Sequence, residues 1–276
     1  MTDNPYTLPD GNVQIAFSGG RTSAYMLHHI LDANGGLPDR AKVVFSNTGR
    51  EMPETLDFVQ EVGARWGVNI VWVEYRNAQG NHDFAKVSHN SASRNGEPMI
   101  AMMQHFGFPP NRTARFCSHE GKTRTAKRFC ASLGWDAWTV AIGIRADEAG
   151  RALKKQPREK YRVWYPLLDA GVGKREVGVF WRSQPFDLAL ESVKGVTARG
   201  NCDGCFLKSE AKRAMLARDY PDRAKWWADQ ERRFGGTFLP DSTWSHHINF
   251  VARQGDWIFD DQNDALCQAD HGECTG

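Results

Sequence analysis

The stretch Val13-Gln14-Ile15-Ala16-Phe17-Ser18-Gly19-Gly20-Arg21-Thr22-Ser23 decides the fold of this chain. Its first five residues form a short, mostly apolar run bounded by glycine and serine, which is typical of a strand covered on both faces of a parallel sheet. After Thr22, apolar residues recur every three to four positions and predict a helix. The two glycines between strand and helix allow the backbone to approach a ligand, and the helix start offers N–H groups to an anion. The stretch therefore predicts a phosphate-binding turn.

This turn is neither a Walker A loop, which needs Gly-x-x-x-x-Gly-Lys-Ser/Thr, nor the dinucleotide fingerprint, which needs Gly-x-Gly-x-x-Gly. Ser-Gly-Gly-x-x-Ser after a strand instead resembles the PP-loop of the adenine-nucleotide α-hydrolase superfamily. Members of that superfamily split ATP between its α and β phosphates or bind adenylyl sulfate compounds. The resemblance implies that the phosphates are bound by the residues of the turn, namely Ser18, Gly19, Gly20, Arg21, Thr22 and Ser23. The alternative is a strand-to-helix turn without a ligand.

A second apolar strand runs into Asn47-Thr48-Gly49-Arg50-Glu51-Met52-Pro53-Glu54-Thr55. Pro53 suits a first helical turn, and the neighbouring glutamates complement the helix dipole. Ligands of open α/β sheets lie outside the carboxyl ends of the strands, so we expect this turn beside the Ser18 turn. This stretch, Asn-Thr-Gly-x-Glu-x-Pro-Glu-Thr, is similar to the second motif of the phosphoadenosine phosphosulfate (PAPS) reductase branch of that superfamily. That resemblance implies that Asn47, Thr48 and Gly49 contact the adenosine.

The order of elements predicts an α/β protein with a doubly wound, mainly parallel Rossmann-like sheet. Residues 69–75 are rich in β-branched and aromatic side chains and predict a third strand, which gives the order β-α-β-α-β. Residues 76–93 are polar, and we expect them to form a mobile excursion over the site. We place a PP-loop nucleotide-binding domain at residues 1–192. A mostly helical, cysteine-bearing subdomain follows at residues 193–276.

A basic segment, residues 111–124, surrounds Cys117. Its cations would bind phosphate or sulfate oxygens and favour the thiolate form of the cysteine, although a solvated basic helix with a half-buried cysteine is the alternative. Arg-x-Cys-x-x-x-x-Lys resembles the PAPS reductase branch, and this implies catalytic roles for Cys117 and Lys122. One departure is that Phe116 precedes Cys117, whereas cluster-bearing adenylyl sulfate reductases have two adjacent cysteines here.

A predicted fourth strand, residues 138–144, ends in Gly143-Ile144-Arg145. Gly-Ile-Arg-x-x-Glu after a strand is similar to the same branch, which implies that Gly143 lies against the nucleotide and that Arg145 points to its phosphates. Arg145 could instead pair with nearby acidic residues at the surface. The basic loop at residues 154–162 is either solvated or binds an anionic substrate such as a nucleic acid.

Cys202-Asp203-Gly204-Cys205 is a metal-like signal, because a Cys-x-x-Cys turn brings two thiolates within reach of one metal or cluster. Three hypotheses follow. Resemblance to cluster-bearing members implies a 4Fe–4S cluster on Cys117, Cys202, Cys205 and a tail cysteine, Cys274. A structural zinc on Cys202, Cys205, His271 and Cys274 is the second. The third is that Cys274 is a redox nucleophile, as in cluster-free reductases with a Glu-Cys-Gly motif, although Thr275 replaces the glycine. We favour the cluster.

The composition is that of a globular protein, with 41% hydrophobic residues, 25% charged residues and a net charge of +2 over 276 residues. This charge argues against strong overall attraction to nucleic acid but not against a local basic patch. The sequence shows neither a membrane span nor a signal peptide, so we expect a cytoplasmic protein without membrane contact. Six cysteines in that compartment would be thiols, metal ligands or catalytic groups.

The first functional hypothesis is an ATP-using enzyme. It would adenylylate an acceptor with release of pyrophosphate, after which a sulfur donor attacks; Mg²⁺ would accompany the triphosphate, and Lys122 and Arg145 would stabilise the developing charge. The rival is a PAPS or adenylyl sulfate reductase in which Cys117 or Cys274 receives the sulfo group and a thioredoxin-like partner regenerates the thiol. A non-catalytic nucleotide sensor or nucleic-acid-binding module is the third hypothesis. The sequence leaves open whether the acceptor is a nucleic acid or a small molecule, and leaves the oligomeric state open.

Overall fold

The structure, a computed structural model, describes residues 4–152, 161–193, 196–197 and 199–254. The predictions for His271, Cys274 and most of the basic loop at residues 154–162 lie outside these ranges. The main sheet contains β1 (Val13–Phe17), β2 (Ala41–Asn47), β3 (Ile70–Ala78), β4 (Asn81–Val87), β5 (Trp138–Ala141) and β6 (Tyr161–Trp164). Two short strands, β7 (Ser192–Val193) and β8 (Val196–Thr197), form a separate antiparallel pair.

The sheet order is β4-β3-β2-β1-β5-β6, and every neighbouring pair is parallel except β3 with β4. The helices are α1 (Arg21–Asn34), α2 (Pro53–Arg65), α3 (Glu97–Phe106), α4 (Phe116–Ser118), α5 (Thr125–Ser132), α6 (Ala149–Ala152), α7 (Pro166–Asp169), α8 (Lys174–Ser183), α9 (Glu210–Asp219), α10 (Pro221–Phe234) and α11 (Trp244–Gln254). A π-helical segment (His119–Arg124) joins α4 to α5, and a 3-10 turn (Ala146–Glu148) precedes α6.

Helices cover both faces of the sheet. Because successive residues of a strand point to opposite faces, one strand contributes side chains to both cores. In β2, Val43 and Phe45 pack into the core that contains α1, α2 and α8, whereas Val44 packs into the core that contains α5. The predicted doubly wound α/β class is therefore confirmed. Cys130 belongs to the α5 core, where burial raises the pKa of its thiol to about 12.

The predicted excursion at residues 76–93 is largely wrong, because β3 continues to Ala78 and turns directly into β4. The connection is Gln79-Gly80, and both residues have positive φ angles, which is the geometry of a two-residue hairpin turn. The polar composition that suggested a loop belongs to an edge strand, where one side of the ladder faces water. The fourth parallel strand is also shorter than predicted, since β5 ends at Ala141.

The C-terminal helices pack against α3 in a core of their own. This core joins Met99, Met102 and Met103 of α3 to side chains of α9, α10 and α11, and it includes Cys202 and Cys205. A helical, cysteine-bearing C-terminal region is thus present, while the boundary at residue 192 stays a prediction, with the β7–β8 pair at that point. No helix within the described ranges is both long and apolar enough to cross a bilayer.

Glu74 of β3 is a fully buried carboxylate that joins three parts of the chain. Its Oε1 accepts hydrogen bonds from Asn47 Nδ2 (2.7 Å) and from the backbone N–H of Ser93 (2.6 Å), and its Oε2 accepts from Ser93 Oγ (2.8 Å). Arg76 pairs with the same carboxylate at 2.7 Å. Glu74 therefore fixes the end of β2 and the loop before α3 to the sheet.

Glu74→Gln should lower the free energy of unfolding by about 1–3 kcal/mol, because the amide cannot accept all these bonds and leaves buried donors unsatisfied. Glu61→Gln is the matched control, since Glu61 pairs with Arg65 at the surface of α2 and its loss should stay within about 0.5 kcal/mol. Urea unfolding followed by tryptophan fluorescence measures both. Equal losses in the two variants would contradict the structural role given to Glu74.

Candidate active site

The PP-loop turn has a backbone that requires glycine at position 19. Gly19 has a φ of +80°, and a Cβ there would lie 2.8 Å from Thr55 Cγ2 of α2. Ser23 Oγ donates to the carbonyl of Gly20 at 3.0 Å and accepts from the backbone N–H of Ser18 at 3.2 Å. Gly20 caps α1 in an extended conformation without a side-chain hydrogen bond, so the N-terminus of α1 presents its N–H groups to a ligand.

A cavity of about 290 Å³ opens in front of this turn. Cationic side chains dominate its charged lining, and Asp187 is the one carboxylate among the described residues that line it. The lining consists of Gly19, Gly20, Arg21, Thr22, Thr55, Arg145, Lys174, Val177, Gly178, Trp181, Arg182, Asp187, Leu188, Ser192, Thr197, Gly200 and Asn201. We call it the phosphate cavity, because cations and a helix N-terminus together suit a polyanion.

Arg145 is buried beside the PP-loop. Its Nη1 donates to Thr22 Oγ1 at 3.2 Å, while its Nε and Nη2 pair with Asp147 (2.9 Å) and Glu148 (3.4 Å). Each sequence interpretation of Arg145 is therefore partly met. Arg145 pairs with acidic residues, as the second interpretation expected, but it is buried and lines the phosphate cavity. Gly143 is also buried, two residues beyond the end of β5.

Lys174 is a site residue that the sequence analysis missed. It begins α8 and lines the phosphate cavity, where burial lowers the pKa of its ammonium group and the nearby charge of Arg145 lowers it further. A bound anion would reverse this shift. The available signal was the Gly173-Lys174 pair at the start of a predicted helix, since a helix N-terminus with a cation favours anion binding.

The residues predicted to contact adenosine lie beside the phosphate cavity's lining and not in it. Asn47 donates to Glu74, and its Oδ1 accepts from the N–H of Gly49 at 3.0 Å. Gly49 packs against the backbone of Gly96, which a Cβ would approach to 3.0 Å. Thr48 Oγ1 lies 3.1 Å from Cys202 Sγ and 2.8 Å from the Glu51 carboxylate. Their role in adenosine binding stays a prediction.

Three of the predicted metal ligands, Cys117, Cys202 and Cys205, line one small cavity of about 20 Å³ together with Lys122. We call it the cysteine cavity; Met99, Pro110, Ser118, Phe206, Leu207 and Trp227 complete its described lining. Within the described ranges, no three His, Cys, Asp or Glu side chains are already arranged to hold a metal ion. The thiols are therefore gathered at one place without a closed coordination shell, and the fourth predicted ligand, Cys274, lies outside those ranges.

Asp203 holds the Cys-x-x-Cys turn in position. Its carboxylate pairs with Arg50 at 2.7 Å and with Arg223, and it accepts hydrogen bonds from Trp227 Nε1 (2.8 Å) and the N–H of Gly204 (2.7 Å). A Cβ on Gly204 would lie 2.2 Å from the Trp227 indole, so only glycine fits there.

The structure separates Lys122 from Arg145, which the sequence analysis had assigned to the same developing charge. Lys122 faces the cysteine cavity, where its Nζ lies 3.6 Å from Glu51 Oε1, whereas Arg145 faces the phosphate cavity. Residues 200–205 lie between the two: Gly200 and Asn201 line the phosphate cavity, and Cys202 and Cys205 line the cysteine cavity. The two cavities therefore share a wall.

The donor set fits an iron–sulfur cluster or zinc, because both bind thiolates. The hydroxyl of Thr48 and the ammonium group of Lys122 lie at the thiols, and such groups can offset the negative charge of bound thiolates. A π-helical segment begins at His119, two residues after Cys117, and such segments are frequent at functional sites.

Comparison with known proteins gives the family. A family model for the phosphoadenosine phosphosulfate reductase domain matches residues 12–170, more than half of the chain. The nin region protein ORF290 of Escherichia phage lambda is 30% identical over 212 residues, which cover 74% of this chain and 69% of that protein. A protein of Methanocaldococcus jannaschii is 30% identical over 154 residues, 55% of this chain and 27% of its own length. The chain belongs to the PAPS reductase family of PP-loop proteins.

Solved structures include two weak likenesses. A PAPS reductase from Candida auris in complex with phosphate is 17% identical, with a TM-score of 0.43 over 70% of this chain and 88% of that one. The U34-tRNA thiolase NcsA from Methanococcus maripaludis, solved with its 4Fe–4S cluster, is 13% identical, with a TM-score of 0.40 over 88% of this chain and 82% of that one.

Cys117→Ala and Cys202→Ala should each lose the metal if the three thiols of the cysteine cavity share one centre. Iron, zinc and acid-labile sulfide per chain, measured after purification without oxygen, test this. Cys130→Ala is the matched control, because Cys130 lies in the α5 core and should leave the metal content unchanged. Thermal unfolding of each variant separates loss of metal from loss of fold. Full metal retention in Cys117→Ala with loss in Cys202→Ala would indicate a zinc site without Cys117.

Proposed function

We propose that this protein is a PP-loop enzyme that binds ATP in the phosphate cavity, adenylylates an acceptor with release of pyrophosphate, and then transfers sulfur to that acceptor. The observation that carries the proposal is the wall at residues 200–205, which separates a cationic cavity from a cavity lined by three cysteines. Nucleotide activation and sulfur chemistry would take place on its two sides.

In the first step, an oxygen of the acceptor attacks the α-phosphorus of ATP, and the bond to the pyrophosphate oxygen breaks. The N–H groups at the start of α1, Arg145 and Lys174 stabilise the negative charge that develops on the phosphates. Mg²⁺ would accompany the triphosphate. In the second step, hydrosulfide attacks the carbon that bears the adenylylated oxygen; the C–S bond forms, the C–O bond breaks, and AMP leaves with the oxygen.

Cys117, Cys202 and Cys205 would hold the iron–sulfur cluster on the far side of the wall, with Cys274 as the fourth ligand if the tail reaches the cavity. A cluster bound there supplies a site for sulfur binding or electron exchange. Glu51 and Thr48 contact Cys202, and Lys122 contributes a compensating positive charge. Thr48 and Glu51 belong to the same motif as Thr55, which lines the phosphate cavity, so this motif reaches both cavities.

The arrangement favours this reaction over direct reduction of PAPS by Cys117. Direct transfer requires the attacking sulfur to reach the end of the nucleotide, yet Cys117 lines the cysteine cavity and not the phosphate cavity. A reductase that uses Cys274 would instead need the tail beside the PP-loop, together with a thioredoxin-like reductant.

Protein purified without oxygen should release pyrophosphate and AMP from Mg²⁺–ATP when an acceptor and sulfide are supplied, and should release no sulfite from PAPS. Total tRNA, duplex DNA and a buffer blank are the acceptor arms. Chromatography of the nucleotides and a colorimetric sulfite assay measure the products. Sulfite from PAPS without pyrophosphate from ATP would establish the reductase, and binding of nucleic acid without either product would indicate a non-catalytic module.

Lys174 should make ATP binding depend on pH. The phosphates raise the pKa that burial and Arg145 had lowered, so binding takes up a proton between the two pKa values. Affinity is then highest below the pKa of the free protein and falls as the pH rises above it. Calorimetry in buffers of different ionisation enthalpy, in a pH series that runs down from the ordinary lysine pKa of about 10.4, counts the protons.

Lys174→Met should raise the ATP Kd by about 10–100-fold and abolish the proton uptake, because a charge-assisted contact is lost. Lys225→Met, on the exposed side of α10, is the control and should change neither quantity. Unchanged proton uptake in Lys174→Met would assign the effect to another group.

A further inference from the structure

Part of the lining of the phosphate cavity comes from the described residues of 187–201. We call this segment the strap. It follows α8 and leads directly into Cys202. Its residues at the cavity are Asp187, Leu188, Ser192, Thr197, Gly200 and Asn201. The strap has little regular structure beyond the β7–β8 pair, so its position depends on contacts with the rest of the protein.

Arg21 of the PP-loop supplies such contacts from the opposite side of the cavity. Its Nε donates to Asp187 Oδ1 at 2.6 Å, and its Nη1 donates to Ser192 Oγ at 2.6 Å and to Thr197 Oγ1 at 3.0 Å. Its Nη2 donates to the carbonyl of Leu188 at 2.7 Å. All three nitrogens of the guanidinium group therefore bind the strap.

This geometry differs from the phosphate-binding role that the sequence suggested for Arg21. A guanidinium group is a planar fork of donors, and here the donors fit a carboxylate, two hydroxyls and a carbonyl at once. A lysine could keep the charge but could not bind these partners together. The indole N–H of Trp181 also donates to the Arg21 carbonyl at 2.8 Å, which fixes the backbone from which the side chain reaches out.

The Cys-x-x-Cys turn does not need this attachment, because Asp203 binds it to Arg50, Arg223 and Trp227. The strap thus lies between two anchors: Arg21 near its first part and Asp203 just beyond its end. Loss of the first anchor should affect the phosphate cavity and spare the cysteine cavity.

We propose that Arg21 is a positioning residue that holds the strap closed over the phosphate cavity, and that it acts on the nucleotide through the strap and not by contact with the phosphates. The inference rests on the proposed function in that ATP is the ligand. According to this inference, Arg21 of the PP-loop keeps the site enclosed.

Two variants separate strap closure from direct phosphate contact, with ATP as the probe in calorimetry. Arg21→Lys keeps the charge, and the neutral double variant Ser192→Ala with Thr197→Val keeps Arg21 intact. Strap closure predicts that each raises the Kd by about tenfold or more, with unchanged iron or zinc per chain. Direct contact predicts that Arg21→Lys retains most of the affinity, because a lysine still binds phosphate, and that the double variant binds ATP at least as well as the unaltered protein. That second pattern would overturn the inference.

Hydrogen exchange of the strap amides gives an independent readout. ATP should slow exchange in the described part of residues 187–197 in the unaltered protein and should fail to do so in Arg21→Lys; equal protection in both would contradict strap closure. Phe129→Leu, in the α5 core, controls for general destabilisation, and it should lower the unfolding temperature without changing the ATP Kd. If the unaltered protein binds no ATP, the proposed function fails; if it binds ATP and both strap variants bind equally well, this inference alone fails.

Discussion

The buried ion pair between Arg50 and Asp203 joins the two parts of the chain on which the site depends. Arg50 belongs to the turn after β2, and Asp203 lies between the two cysteines, 153 positions further on. Their side chains are 5% and 0% exposed, so each charge requires several partners inside the protein. Asp203 has a second arginine, an indole N–H and a backbone N–H, while the ring of Trp226 lies 4.3 Å from the Arg50 guanidinium. Burial lowers the pKa of Arg50, and Asp203 opposes this shift.

This ion pair gives the second sequence motif a structural role beside its predicted contact with adenosine. The motif begins at the carboxyl end of β2, where an open α/β sheet binds its ligand, yet Thr48, Arg50 and Glu51 all make contact with the Cys-x-x-Cys turn. Their side chains are buried and make hydrogen bonds to protein groups. The motif therefore brings the cysteine turn to the edge of the sheet, and its contribution to nucleotide binding would come from its backbone and from Thr55, which lines the phosphate cavity.

The sequence was most informative where the signal is local. Gly19, the strand before it and the helix after it define the PP-loop within eleven residues, and the Cys-x-x-Cys spacing identifies a thiol pair in four. It was least informative about contacts between distant residues: the side chain of Arg21 meets its hydrogen-bond partners at least 166 positions away, and no pattern near Arg21 specifies them. The hairpin at Gln79-Gly80 was missed for two other reasons. The edge strand that follows it is polar, and the turn has positive φ angles without the Asn-Gly sequence that usually marks such a turn. Metal ligation by Cys274 stays a prediction.

The proposed function gives the separation of the two cavities an electrostatic reason. A triphosphate and a set of thiolates are both negative, and they would repel each other strongly if they shared one low-dielectric space. The wall at residues 200–205 would keep them apart, and each side has its own cations: Arg145 and Lys174 line the phosphate cavity, and Lys122 lines the cysteine cavity. A reaction that passes sulfur to an activated acceptor must nevertheless bring the two chemistries together at one atom. In the proposed reaction that atom belongs to the acceptor, so the acceptor would have to reach both sides of the wall. In the proposed reaction, residues at the edge of the strap would shape this path, because Asn201 and Cys202 are neighbours in the chain and line different cavities.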